Sequence, residues 1–444
     1  MTAGNQTAGD RTPVSPPPVA PPPVTLPPVH EAWLPREHVL HRPRHGNRQL
    51  LALICAAVFF AAPLVAFTVS PTPDRFENRE LTAFPGIGDG WGFFTRLSSW
   101  ATDHLPFRED AIHIADAVSR GLLGEPPALG SGKFDTGGPV QTDKDKQRNV
   151  PSSFPSVLEG KDGWLYVGAE VESHCRPGQS LDETISRLRR LRDGVEASGR
   201  KFVVAIAPDK TTMASARLPD DYPGKDCLND ATTEFWNRMT GEDYVLDLRP
   251  GLRAWAAKLG GPVYGPQDAH WSDEGGVTMT QALAEKLRPG ISAGWKIDAG
   301  ADWSVAADIP PLIGQTGTTN GRFYTISPDG KRDQTRPVNT DYRAPLALDT
   351  ATGPGTYGFG VGMLSDSFTI RALRYLSAAF GDMTVLHHNS LPADRGVGAG
   401  KMLAGKSVVV IEVAERTLVS GNLQVTAPDA ISNIVSELAA RPIR

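Results

Sequence analysis

The sequence predicts an α/β domain built on a mostly parallel sheet with helices on both faces. Three observations carry this. Short apolar, β-rich runs recur along the last two thirds of the chain: KFVVAIAP, YGFGVGML, MTVLHH and SVVVIEVA. Helical patterns fall between them; Leu181, Ile185, Leu188, Leu191 and Val195 lie on one face. The runs are apolar almost throughout rather than alternating, as strands buried on both sides are.

In chain order, residues 1–49 hold the tract PVSPPPVAPPPVTLPPV and no apolar periodicity. Such a segment cannot bury enough surface to offset its chain entropy, so a disordered tail is expected, with the proline tract as a polyproline II spacer or docking ligand. Residues 50–69, LLALICAAVFFAAPLVAFTV, carry no charge. At about 1.5 Å per residue they match a bilayer core of roughly 30 Å, so a transmembrane helix is expected; a signal peptide is the competing reading. Arg36, Arg42, Arg44 and Arg48 precede this run, and mixed charges follow it. The positive-inside rule then puts the tail in the cytoplasm and everything from about Ser70 onward outside a single-pass cell membrane.

Residues 70–156 read as a membrane-proximal helical segment, with Phe94, Leu97, Trp100 and Ala101 at helical spacing, followed by a Gly- and Pro-rich linker. Residues 157–444 are the α/β domain. It opens with a hairpin in VLEGKDGWLYVG; Ser180 caps the next helix and Gly199 ends it. YVLDL and PVYG are further strand candidates, and a helix is expected from Ser367 to about Phe380.

The whole chain has a formal charge of −5. That gives no electrostatic footprint for nucleic acid. No phosphate-binding glycine motif is present, so neither nucleotide nor other cofactor is expected. Cys175 and Cys227 are the two thiols that would face an oxidising space. They are a disulfide candidate, two unpaired thiols being the other option.

The chemistry is concentrated in two places. In GVGMLSDSFTIRALRYLSAAF a strand runs into a helix through Ser365, Asp366 and Ser367. This puts the Ser367 hydroxyl above the carboxyl end of the sheet, beside free first-turn N–H groups that could hold an oxyanion; a plain helix cap is the alternative. In VYGPQDAHWSDEGG, Asp268 and His270 stand two residues apart on one loop. A carboxylate so placed can hold Nδ1–H while Nε2 faces a nucleophile, although a cap and a surface histidine would read the same. The D-x-H pair lacks the clustered ligands of a metal site, so no metal is expected.

Taken in order, NRELTAFP, DHLPFR, GKDGWLYVG, APDKTTMASARLP, DAHWSDEGG, SDSF and IEVAER resemble the alginate O-acetyltransferase family of the AlgX and AlgJ type. The resemblance implies an SGNH-hydrolase-like, flavodoxin-like domain whose Asp–His element precedes its serine. Ser367 would be the nucleophile, His270 the general base and Asp268 its orienter. Lys210, Trp271 and Asp366 are candidate substrate or oxyanion contacts. For Lys210 a surface position is the alternative, and for Trp271 core packing is. Ser365 stands where the family has glycine. The short stretch after IEVAER fits the module-free, membrane-anchored AlgJ form.

The expected activity is O-acyl transfer, most simply O-acetyl transfer, to a cell-envelope polysaccharide through an acyl-enzyme. A polytopic membrane O-acyltransferase would supply the acetyl groups. An SGNH carbohydrate or peptidoglycan esterase is the first alternative, and a non-catalytic envelope scaffold the second.

Overall fold

The computed structural model describes residues 154–443 continuously, the helix Asn47–Val69, and scattered positions between 33 and 100. The expected tail, its proline tract and most of the membrane-proximal segment and linker lie outside the described residues. Phe93, Leu97 and Trp100 are helical. The chain divides into two compact units, the larger of which contains residues 107–444.

Of the helix Asn47–Val69 the side chains are described from residue 50 to 61, and these are exposed; Leu51, Phe59 and Phe60 are 62%, 73% and 74% accessible. Among the described residues no helix is long and apolar enough to cross a membrane.

The α/β unit opens with the expected hairpin, β1 (Val157–Glu159) against β2 (Leu165–Val167). Its centre is a six-stranded sheet of β3 (Lys201–Ala207), β4 (Val245–Asp247), β7 (Leu346–Ala347), β8 (Val361–Ser365), β9 (Met383–His387) and β10 (Val408–Ala414). Their order is β4-β3-β10-β8-β9-β7. All neighbours are parallel except β7, which lies antiparallel on β9 at the edge. The sheet is therefore mixed.

The strands alternate between two cores. Val203, Met363, Val385 and Val410 face one, while Val204, Leu364, Leu386 and Ile411 face the other. Both faces are covered, which explains the nearly unbroken apolar character of β3 and β10. The helix Leu181–Ala197 begins where expected, with the Ser180 hydroxyl accepting the Glu183 N–H at 3.2 Å. Cys175 and Cys227 form a disulfide, Cα to Cα 5.7 Å, joining the helices Gly168–Cys175 and Lys225–Met239 inside the first core.

Three local expectations are corrected. PVYG is no strand; Tyr264 makes a single bridge to Trp271, because Gly265 and Pro266 turn the chain into the loop that carries His270. The helix expected from Ser367 is broken into a 3-10 segment, Ser367–Arg371, and an α-helix, Leu373–Ala379. There the backbone of Arg371 and Ala372 abuts Gly276 of the helix Asp273–Leu287. Finally, β5 (Lys296–Ala306) and β6 (Thr318–Ser327) form a long antiparallel hairpin that the sequence pattern did not announce. Its β5 strand is exposed or half-buried along its whole length, so no period-two apolar signal exists.

Candidate active site

Ser367 sits one residue beyond the end of β8, at the carboxyl edge of the sheet. Asp366 turns the chain there. One of its carboxylate oxygens accepts the Phe368 N–H at 2.9 Å and the other accepts the Ala414 N–H at 2.7 Å, at the end of β10. Asp366 is thus buried in the cap of the nucleophile turn and does not serve as a substrate contact. Glu412, buried within β10, accepts from the Asp366 N–H at 3.2 Å and from the Thr369 hydroxyl at 2.7 Å. Burial, with the Asp366 charge adding to it, lifts the Glu412 carboxyl well above the usual range. The cap takes the Phe368 and Thr369 N–H groups, so the Ser367 N–H is the first-turn donor it leaves for an oxyanion. Ser365 is fully buried at the end of β8.

The loop bearing His270 is held from beneath by Lys210. Far from being a surface lysine, Lys210 is buried, and its ammonium donates to the carbonyls of Leu165 at 2.7 Å, Pro266 at 2.8 Å and Asp268 at 3.0 Å. Burial lowers its pKa to about 8. It therefore builds the loop and does not face the site. Trp271 is also buried; its indole N–H donates to the Phe368 carbonyl at 3.0 Å, and its ring meets Phe368 edge-on. It packs in the core and offers no platform for a sugar.

These two supports bring the sequence's three chemical residues together across 97 positions. His270 Nε2 lies 2.8 Å from Ser367 Oγ. On the other side of the ring, Nδ1 lies 3.2 Å from Asp268 Oδ1 and 2.9 Å from Asp308 Oδ2. Burial works against a charge on the imidazole, but hydrogen bonds from Asp268 and Asp308 outweigh it and raise the pKa to about 9. Burial likewise opposes the Asp308 charge, and the bond to His270 overcomes it, holding that carboxyl below its ordinary value.

Asp308 is the residue that sequence reasoning missed. It lies in ADIP just after β5, 38 positions from His270, in no motif and no periodic pattern. Arg371 is a second such neighbour. Its guanidinium stacks 3.9 Å from the Trp303 ring and reaches to 4.0 Å of Asp268. Glu412 did leave a signal: an acid in the middle of an apolar strand seldom lacks a partner.

Asp268, His270 and Asp308 could also hold a cation, since their ligand atoms lie within 4.8 Å of one another. The two uses exclude each other. A metal on Nδ1 would occupy its lone pair and leave the proton on Nε2, facing Ser367, so the imidazole could no longer take the serine proton.

Residues 157–302 match the family model described as SGNH hydrolase-like domain, acetyltransferase AlgX. The chain is 30% identical over 224 residues to the probable alginate O-acetylase AlgJ of Pseudomonas syringae pv. tomato, covering 48% of this chain and 54% of that protein. It is 32% identical over 137 residues to the protein of the same description from Pseudomonas aeruginosa, covering 30% and 34%. The chain thus spans about half the length of the first of these relatives and about a third of the second. Among solved structures, the O-acetyltransferase domain of Pseudomonas putida AlgJ is 21% identical, covering 63% of this chain and 99% of that one, with a TM-score of 0.43. Pseudomonas aeruginosa AlgX is 14% identical over 60% and 66%, with a TM-score of 0.40. By sequence the chain is similar to the AlgX/AlgJ family, and its residues 157–302 are an SGNH hydrolase-like domain of that family.

Proposed function

We propose that this protein is a membrane-anchored O-acyltransferase, acting as an O-acetyltransferase on an extracytoplasmic polysaccharide. The observation that carries the proposal is the 2.8 Å hydrogen bond between Ser367 Oγ and His270 Nε2, with carboxylates on the far side of the ring. A serine hydroxyl becomes a competent nucleophile when a base takes its proton, and this is the arrangement that does so.

In the first half-reaction Ser367 Oγ attacks the donor's acyl carbonyl while its proton passes to His270. The carbonyl oxygen turns negative against the Ser367 N–H, the donor's leaving group departs with the proton, and an ester remains on Ser367. In the second, a sugar hydroxyl gives its proton to His270 and attacks that ester. The serine leaves, regains the proton, and the acyl group is on the sugar. The AlgJ relatives are named alginate O-acetylases, which supports acetyl as the group and a polysaccharide as the acceptor.

The helix Asn47–Val69, with its exposed apolar side chains, is the anchor in this reading, the N-terminus being cytoplasmic and the α/β unit outside. Acetyl groups made in the cytoplasm must then cross the membrane, so a polytopic acyltransferase partner supplies the donor.

The test is to give the detergent-solubilised protein an activated acetyl ester with and without oligosaccharide acceptors, and to weigh both products by mass spectrometry. Acetyl on sugar that falls by about 10³-fold or more in Ser367→Ala is expected. Acetate as the product in every case would make the enzyme a hydrolase. Full transfer by Ser367→Ala would remove the nucleophile assignment.

A further inference from the structure

We infer that Asp308, and not Asp268, is the positioning carboxylate that orients His270, while Asp268 serves to fold the loop. The inference rests on the reading of Ser367 and His270 as nucleophile and base.

Nδ1 carries a single proton and can make one short, well-directed bond. Asp308 Oδ2 lies at 2.9 Å and Asp268 Oδ1 at 3.2 Å. The longer contact is also the more heavily shared. Asp268 Oδ1 accepts the His270 backbone N–H at 2.9 Å, the bond to the residue two positions on by which an aspartate shapes a turn. Asp268 Oδ2 faces Arg371 at 4.0 Å, and the Asp268 carbonyl takes the Lys210 ammonium. Each of these other contacts builds or flanks the loop.

Asp308 is placed differently. It comes from a separate segment, and its Oδ1 accepts the Ala269 N–H at 2.9 Å, which docks it beside the histidine and leaves Oδ2 for the ring. Its side chain is 32% exposed against 8% for Asp268, so its charge is better solvated. The remaining groups around the ring are Ser367 on Nε2, Arg371 and Lys210 on the Asp268 side, and Arg416 stacked over Phe368, whose ring touches His270. None of these competes for Nδ1.

Asp308→Asn and Asp268→Asn separate the two roles. Asparagine keeps an oxygen for the Ala269 or the His270 N–H, so each loop retains its acceptor. In full-length protein labelled with ¹⁵N-histidine, the His270 ring is titrated by NMR, and transfer is measured from pH 6 to 10. Asp308→Asn is expected to lower the His270 pKa by a unit or more and kcat by on the order of 10³-fold or more, as loss of an orienting carboxylate does. Asp308→Glu should restore part of both. Asp268→Asn should lower the melting temperature while moving the His270 pKa by less than half as much.

A larger shift in Asp268→Asn, or equal shifts in the two, would overturn the assignment. The titration needs no turnover, so it reports on the orienter even if Ser367→Ala were to keep its activity and sink the catalytic reading.

Discussion

The Ser367 hydroxyl needs a neutral imidazole, yet hydrogen bonds from two carboxylates hold the His270 pKa at about 9 against the opposing effect of burial. The sign follows directly. A raised pKa keeps His270 protonated to higher pH, and a protonated ring cannot accept the serine proton. At pH 7 about one molecule in a hundred then has the base form, so kcat/KM should climb about tenfold between pH 7 and 8 and level off above 9. A pH–rate profile in which the acidic limb sits near 6.5 would show that the carboxylates do not hold the charge. The same residues show how much of the site was legible in the sequence. Ser367, His270 and Asp268 each sit in a short motif at a turn, where residue type and spacing speak. Asp308 reaches His270 by a fold in the chain, and no local pattern encodes that. Lys210 was misplaced for a related reason: what buries a lysine is the set of carbonyls brought to it from three distant positions, and these are invisible along the chain.

At the scale of elements, the distance between base and nucleophile is set by how closely the helix Asp273–Leu287 approaches the 3-10 turn Ser367–Arg371. Gly276 lies against the Arg371 carbonyl, and a Cβ there would collide with backbone, which cannot give way as a side chain can. Gly276→Ala should therefore push the His270 loop off Ser367. A displacement of about 1 Å costs on the order of 10²-fold in rate, which steady-state assay of a variant with wild-type circular dichroism would reveal. Unchanged activity would mean that the contact is slack. The disulfide makes a second claim. Cys175 and Cys227 close a loop of 52 residues between two helices. Cys175→Ser should lower stability by about 4 kcal/mol if chain entropy dominates, measurable by denaturant titration. Identical midpoints for the two proteins, or for the wild type with and without reductant, would show that the bridge adds nothing.

For the whole molecule, the question is what the helix Asn47–Val69 lies in. Seven large apolar side chains between 50 and 60, from Leu50 to Phe60, are at least half exposed. Water is a poor solvent for such a surface, and a bilayer is a good one. The full chain should stay with membranes through an alkaline carbonate wash and come off in detergent; release by carbonate alone would end the anchor reading.

What the sequence by itself determined is what depends on neighbours along the chain. Residue periodicity and turn chemistry located the sheet's main strands, the cap at Ser180, the strand-to-helix junction at Ser367 and the Asp268–His270 loop. Those signals are local, because strand, helix and turn preferences act over a few residues. The tertiary structure alone decided that Asp308 meets His270, that Lys210 and Trp271 are buried supports, that Asp366 is a cap, and that a polar hairpin stands beside the site. Each of these depends on which distant segments the packing of the two cores forces together, and burial and hydrogen-bond partnership are properties of that packing.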